Sequence, residues 1–103
     1  MKPFRLIISN QAKNSLKDIA KYIKKESPSA AVYVTNILIS LIKNLQISPE
    51  KFSKEPLLSE KEGNYRSVTK WHYKIIYSCK EKTIEVLDII HTSRKPGVIK
   101  KIE

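Results

Sequence analysis

The sequence predicts an α+β fold of order β-α-α-β-β-β, with a helical hairpin packed on one face of a small, mainly antiparallel sheet. Three observations carry this reading. Two consecutive segments place apolar residues at helical spacing and are joined only by Ser27-Pro28-Ser29. After Tyr65, three runs rich in β-branched and aromatic residues follow at hairpin spacing, split by Lys70-Trp71 and Lys80-Glu81-Lys82. A short β run over residues 4–8 precedes the helices. A sheet of this size needs cover on one face, and the helical pair is the only element able to give it. The other face, or one end, is then expected to be open for a partner or substrate.

The first run ends at Ser9 or Asn10, either of which suits an N-cap because its side-chain oxygen can take a free N–H of the first turn. Over residues 11–25, Ala12, Leu16, Ile19, Ala20 and Ile23 form one apolar stripe. Lys13, Lys17, Lys21 and Lys24 form a second stripe, roughly 115° around the helix from the first. Ser27-Pro28 ends this helix and starts the next, since Pro in a first turn gives up an N–H that would have no partner there. The second helix extends to about Gln46 and turns Ala30, Val34, Ile37, Leu38, Leu41 and Leu45 inward. Val32 and Ile39 fall on its opposite side, where either solvent or a partner is expected. So short a link predicts two antiparallel helices.

Residues 48–64 hold Pro49, Pro56 and Gly63, keep no period, and read as a long connecting loop suited to motion or binding. Residues 65–69, 72–78 and 83–90 are the three later strands, and the tail from Lys95 onward is short and basic. One domain over residues 1–103 is expected.

The 103 residues are 41% hydrophobic, enough to bury a core. Charge is the outlier: twenty Lys and Arg against ten Asp and Glu give +10, which attracts polyanions or acidic proteins. Only Arg5, Arg66 and Arg94 among those cations are Arg. A guanidinium presents a planar fork to phosphate or carboxylate, so these three carry more functional weight than any Lys. Cys79 stands alone, which excludes an internal disulfide, fits a reducing cytosol and reads as a buried structural thiol. No signal peptide is visible, and no apolar run approaches the roughly 18 residues needed to cross a bilayer. A cytoplasmic protein without membrane contact is expected.

One Cys and two His make no zinc set, and two Gly make no phosphate-cradling loop. No metal or cofactor is therefore expected, and no nucleophile-elbow motif is present. What remains is a basic cluster. Alternation places His72, Lys74 and Ile76 on one face of their strand and Tyr73, Ile75 and Tyr77 on the other. If strand register permits, Arg66, Lys74, His91 and Arg94 converge. Such a group can clamp a phosphate, stabilise charge on a cleaved phosphodiester or grip acidic side chains. The plainer reading leaves Lys74 solvated, His91 a strand-end residue, and Arg66 paired with a carboxylate such as Asp88. Trp71, at a turn, serves as a packed lid over the sheet edge or as a base-stacking platform.

The ordered pieces resemble a toxin of the RelE/ParE superfamily of bacterial type II toxin-antitoxin systems. They are the opening strand, the Ala12-x-x-x-Leu16-x-x-Ile19-x-x-Tyr22-Ile23 helix, Ser27-Pro28-Ser29-Ala30-Ala31, the Leu45-to-Pro49 helix exit, Tyr65-Arg66, Tyr73-Lys74-Ile75-Ile76-Tyr77 and His91-Thr92-Ser93-Arg94. The resemblance implies a RelE/ParE-like fold, no cofactor, and neutralisation by a small acidic antitoxin within a hetero-oligomer, or a homodimer of the toxin. ParE-like members inhibit DNA gyrase, with growth inhibition and plasmid stabilisation as outcomes. RelE-like members cleave mRNA on the ribosome. The Ser-Pro-Ser-Ala-Ala hairpin and the His-x-x-Arg ending look more like ParE. No tyrosine follows Arg94 as in many RelE-type nucleases, Lys74 stands where those often carry Arg, and Arg66 where a catalytic Lys is common. Under the ParE-like reading Arg66, Lys74, His91 and Arg94 contact the target. Under the nuclease alternative Arg66 and Arg94 bind phosphate, Lys74 stabilises charge and His91 is the acid or base. Val32, Ile39 and Trp71 are the expected antitoxin contacts. A third reading is a non-toxic basic binding module or a degenerate toxin.

Overall fold

In the computed structural model, which describes residues 4–58 and 62–92, strand β1 (Arg5–Ile8) leads into helices α1 (Asn10–Lys24) and α2 (Pro28–Asn44). Strands β2 (Tyr65–Lys70), β3 (Tyr73–Lys80) and β4 (Thr83–His91) follow, so the order is β-α-α-β-β-β. Both helices begin where a serine can cap them. Ser9 accepts from the Ala12 N–H at 3.0 Å, and Ser27 from the Ala30 N–H at 3.2 Å, with Pro28 in the first turn.

The strands pair in the order β1-β4-β3-β2. The β2–β3 and β3–β4 pairs are antiparallel hairpins, while β1 runs parallel to β4 with Leu6 opposite Ile84 and Ile8 opposite Val86. The sheet is thus mixed, because the chain leaves the helical pair for the far edge, β2, and two hairpins then bring it back to β4, which runs in the direction of β1. Helices and sheet bury one main core: Ala12, Leu38, Ile42 and Leu45 against Val68, Ile75, Tyr77, Ile84, Val86 and Ile89. Ile42 belongs to that core although the periodicity of α2 favoured Leu41. The run Ile-Leu-Ile-Ser-Leu-Ile is apolar around too much of the helix for spacing to fix its inner face.

Asp88, 2% exposed, sits beside a register shift in the β3–β4 pair and fastens β4 to α1. Its carboxylate accepts from Gln11 Nε2 at 2.9 Å, from Ser15 Oγ and from the Ile89 N–H at 2.7 Å. These three donors satisfy the buried carboxylate.

The far face of the sheet is not open, as expected, but carries a second small core. Leu58 from the α2–β2 connection covers Ile76, Leu87 and Ile90 there, with Tyr65 against them. The connection starts on the helix side, where Tyr77 Oη donates to the Pro49 carbonyl and Phe52 packs on the main core. It then rounds the β2 edge. The Glu55 N–H donates to Tyr65 O at 2.9 Å, the Ser67 N–H to Ser53 O at 3.2 Å, and Lys54 bridges Arg66. A segment that reads as an unstructured loop therefore acts as a strap that closes an exposed strand edge.

Candidate functional site

Alternation along a strand decides which side chains can meet, and the register decides against the expected cluster. Arg66 lies opposite Tyr77, whose ring is in the helix-side core. Lys74 lies opposite Thr69 and Ile90, and Ile90 belongs to the far-face core. Positions 74 and 77 differ by an odd number, so Arg66 and Lys74 point to opposite faces of the sheet. His91, opposite Tyr73, shares the helix-side face with Arg66. The partners Tyr73 and Tyr77 are four positions apart on β3, which separates the pair by roughly 13 Å along the strand. The convergence of Arg66, Lys74 and His91 is therefore corrected, and Arg94 lies outside the described residues.

Two of the cations on these strands, Arg66 and Lys74, have local polar partners. Arg66 donates to Phe52 O at 2.6 Å, to Asn64 Oδ1 at 3.1 Å and, more loosely, to Glu50 O at 3.4 Å. A carboxylate does approach it, that of Glu50 at 4.0 Å; Asp88, the partner expected, is occupied by α1. The guanidinium fork thus fastens the strap to β2. Lys74 is not a solvated cation. Its Nζ reaches both oxygens of Glu55 at 2.9 and 3.1 Å, and the Glu55 side chain is fully buried. Nothing in the sequence around Glu55 signals burial, since it stands between Lys54 and Pro56 in a segment without period.

Burial also governs the two titrating groups of β3. The Tyr77 phenol is pushed up to about 12, chiefly by desolvation, with the Cys79 thiolate adding and Arg66 opposing. Cys79, half-buried on the helix-side face, has its thiol raised by burial too, against an opposing pull from Arg66 and with Glu50 adding. A thiol held protonated is no nucleophile at neutral pH, which agrees with a structural role.

Several ring side chains gather around the β2–β3 hairpin tip and the end of β4. Trp71 occupies the tip at φ 55 and is 45% exposed. Its ring centroid lies 6.2 Å from that of Tyr33 on α2, which is 61% exposed, and Lys70 Nζ sits 5.0 Å above the Trp71 ring. On the adjoining edge His72 and His91 stack at 5.5 Å, and Tyr73 meets His91 edge-on at 5.6 Å. The lid reading of Trp71 holds only in part, because the ring leans on Tyr33 but covers no core. Tyr33 escaped the sequence analysis, and its adjacency to exposed Val32 was the available signal. Val32 and Ile39 are exposed on α2, as their spacing predicts. No group of three or more His, Cys, Asp or Glu among the described residues is placed to hold a metal. No described helix is long and apolar enough to cross a membrane.

The family model of the ParE toxin of the type II toxin-antitoxin system parDE matches residues 6–96. The fold is similar to that in the chromosomal ParDE toxin-antitoxin system from P. aeruginosa, with TM-score 0.72 and 24% identity over 87% of this chain and 97% of that one. It is also similar to that in the RelBE2 toxin-antitoxin complex from Mycobacterium tuberculosis, with TM-score 0.60 and 18% identity over 86% of this chain and 98% of that one. No curated protein matches the chain.

Proposed function

From the premise that the chain belongs to the ParE toxin family of type II toxin-antitoxin systems, we propose that it acts in the cytoplasm by inhibiting DNA gyrase and is neutralised by a small acidic antitoxin. The observation that supports gyrase over RNA cleavage is how the strand cations are used. Phosphodiester cleavage needs cations and an acid or base gathered around one phosphate. Here Arg66 is spent on the strap, Lys74 is neutralised by Glu55 on the other face, and His91 lies at the far end of the sheet. The separation of these groups is what a binding protein tolerates and a nuclease does not.

The antitoxin seats on exposed Val32, Ile39 and Trp71, drawn by the net charge of +10. The apolar side chains supply contact area, and the basic excess supplies long-range attraction. Purified toxin added to gyrase and relaxed plasmid tests the target directly. The expected result is loss of supercoiling in proportion to toxin, reversed by the antitoxin. Unimpaired supercoiling, together with toxin-dependent mRNA cutting on ribosomes, would overturn the proposal.

A further inference from the structure

Trp71 holds a position that core packing does not explain. A non-Gly residue at φ 55 is strained, and a bulky one more so, while Gly or Asn would take that conformation freely. The ring at this costly position is 45% exposed and belongs to neither core. It is instead held on display, with Tyr33 beside it and the Lys70 ammonium 5.0 Å above its face. Exposed rings with a cation at hand form the platform on which unpaired bases stack, the phosphates following the positive charge.

We infer that Trp71, Tyr33 and Lys70 form a stacking site for single-stranded nucleic acid. A duplex keeps its bases stacked on one another and offers this surface only phosphates, so the site should select unpaired strands. A chain of carboxylates alone has no ring to stack on Trp71 and Tyr33, so an acidic segment without apolar or aromatic side chains fits the site less well than bases do. The net charge of +10 provides the sequence-independent attraction that such binding uses. The inference stands independently of gyrase as the target. It adds one consequence: an antitoxin seated on Trp71 would exclude the strand.

Trp71 is the only tryptophan, so its emission reports on this site alone. The full-length protein, titrated at low salt with a thymidylate dodecamer, should show saturable quenching that weakens as salt rises. Removing a stacking partner by Tyr33→Ala should weaken binding roughly fivefold or more, and Lys70→Gln should reduce the salt dependence. A uridylate dodecamer should quench as well, and the tighter of the two identifies DNA or RNA as the natural strand. Because a tryptophan variant loses the probe, Trp71→Gly, which suits the positive φ, is read with a labelled thymidylate strand by fluorescence anisotropy. Roughly tenfold weaker binding, with the far-ultraviolet circular dichroism retained, is expected. No quenching, equal quenching by a duplex of the same length, tighter quenching by polyglutamate, or full binding by folded Trp71→Gly would each overturn the inference.

Discussion

At the residue scale, Arg66 and Lys74, two of the side chains that looked most chemical, are bound into the fold. Lys74 is the counter-ion of a fully buried carboxylate, and Lys74→Met would strand that charge. We expect the substitution to cost about 3–5 kcal/mol in urea unfolding, while adding Glu55→Leu should recover most of it. A cost below about 1 kcal/mol for the single change would contradict this role for the pair. Tyr77 makes a pH prediction. Its phenol rises from the ordinary 10.0 to about 12 on folding, so folding favours the protonated form. The resulting stability is complete below about pH 10 and is lost as pH rises toward 12, about 2 kcal/mol of it by pH 11.5. Comparison with Tyr77→Phe isolates this phenol, because every other ionisable group is common to both proteins. The difference between wild type and Tyr77→Phe in unfolding free energy should therefore shrink by about 2 kcal/mol between pH 9 and 11.5. An unchanged difference would show that the phenol is not buried as described. The identity of these residues was legible in the sequence, but their partners were not. The face of Arg66 relative to Lys74 depends on a register set across two strands, and Glu55 comes from a segment with no periodic signal.

At the scale of elements, the strands and helices followed the sequence closely because their periods, caps and breakers agree. Ser9, Ser27 and Pro28 mark the helix starts in the sequence and act there in the structure. The strap did not declare itself, since its order comes from tertiary bonds to Tyr65, Ser67 and Arg66 rather than from local propensity. The β3–β4 turn offers a test of local strain. Glu81 and Lys82 both adopt positive φ, 50 and 62, in a two-residue connection that Asn-Gly would fill without strain. The pair Glu81→Asn, Lys82→Gly should stabilise the fold by about 1 kcal/mol, seen as a rise in Tm of roughly 4–8 °C. An unchanged or lower Tm would mean that this turn is not held as described. The β2–β3 turn places Trp71 alone at positive φ, where the β3–β4 turn places two residues.

At the scale of the whole molecule, the basic excess and the exposed side chains of α2 and the hairpin tip are the surfaces proposed to meet partners. Antitoxin binding should weaken steeply with salt, because exposed charges are screened within about 10 Å at 0.1 M ionic strength. In the complex at least one of Val32, Ile39 and Trp71 should lose accessible surface, and an interface that leaves all three exposed would refute the proposed seat. The family membership was within reach of the sequence because many weak pieces stand in order along the chain, whereas the target depends on contacts with a second molecule. Gyrase inhibition is the central claim, and growing cells separate it from RNA cleavage. After induction of the toxin, protein synthesis is followed by pulse labelling while covalent gyrase-DNA complexes are recovered from the same culture. The proposal predicts that gyrase-DNA complexes accumulate while translation at first continues; translation arrest within minutes, with no gyrase-DNA complexes, would contradict it.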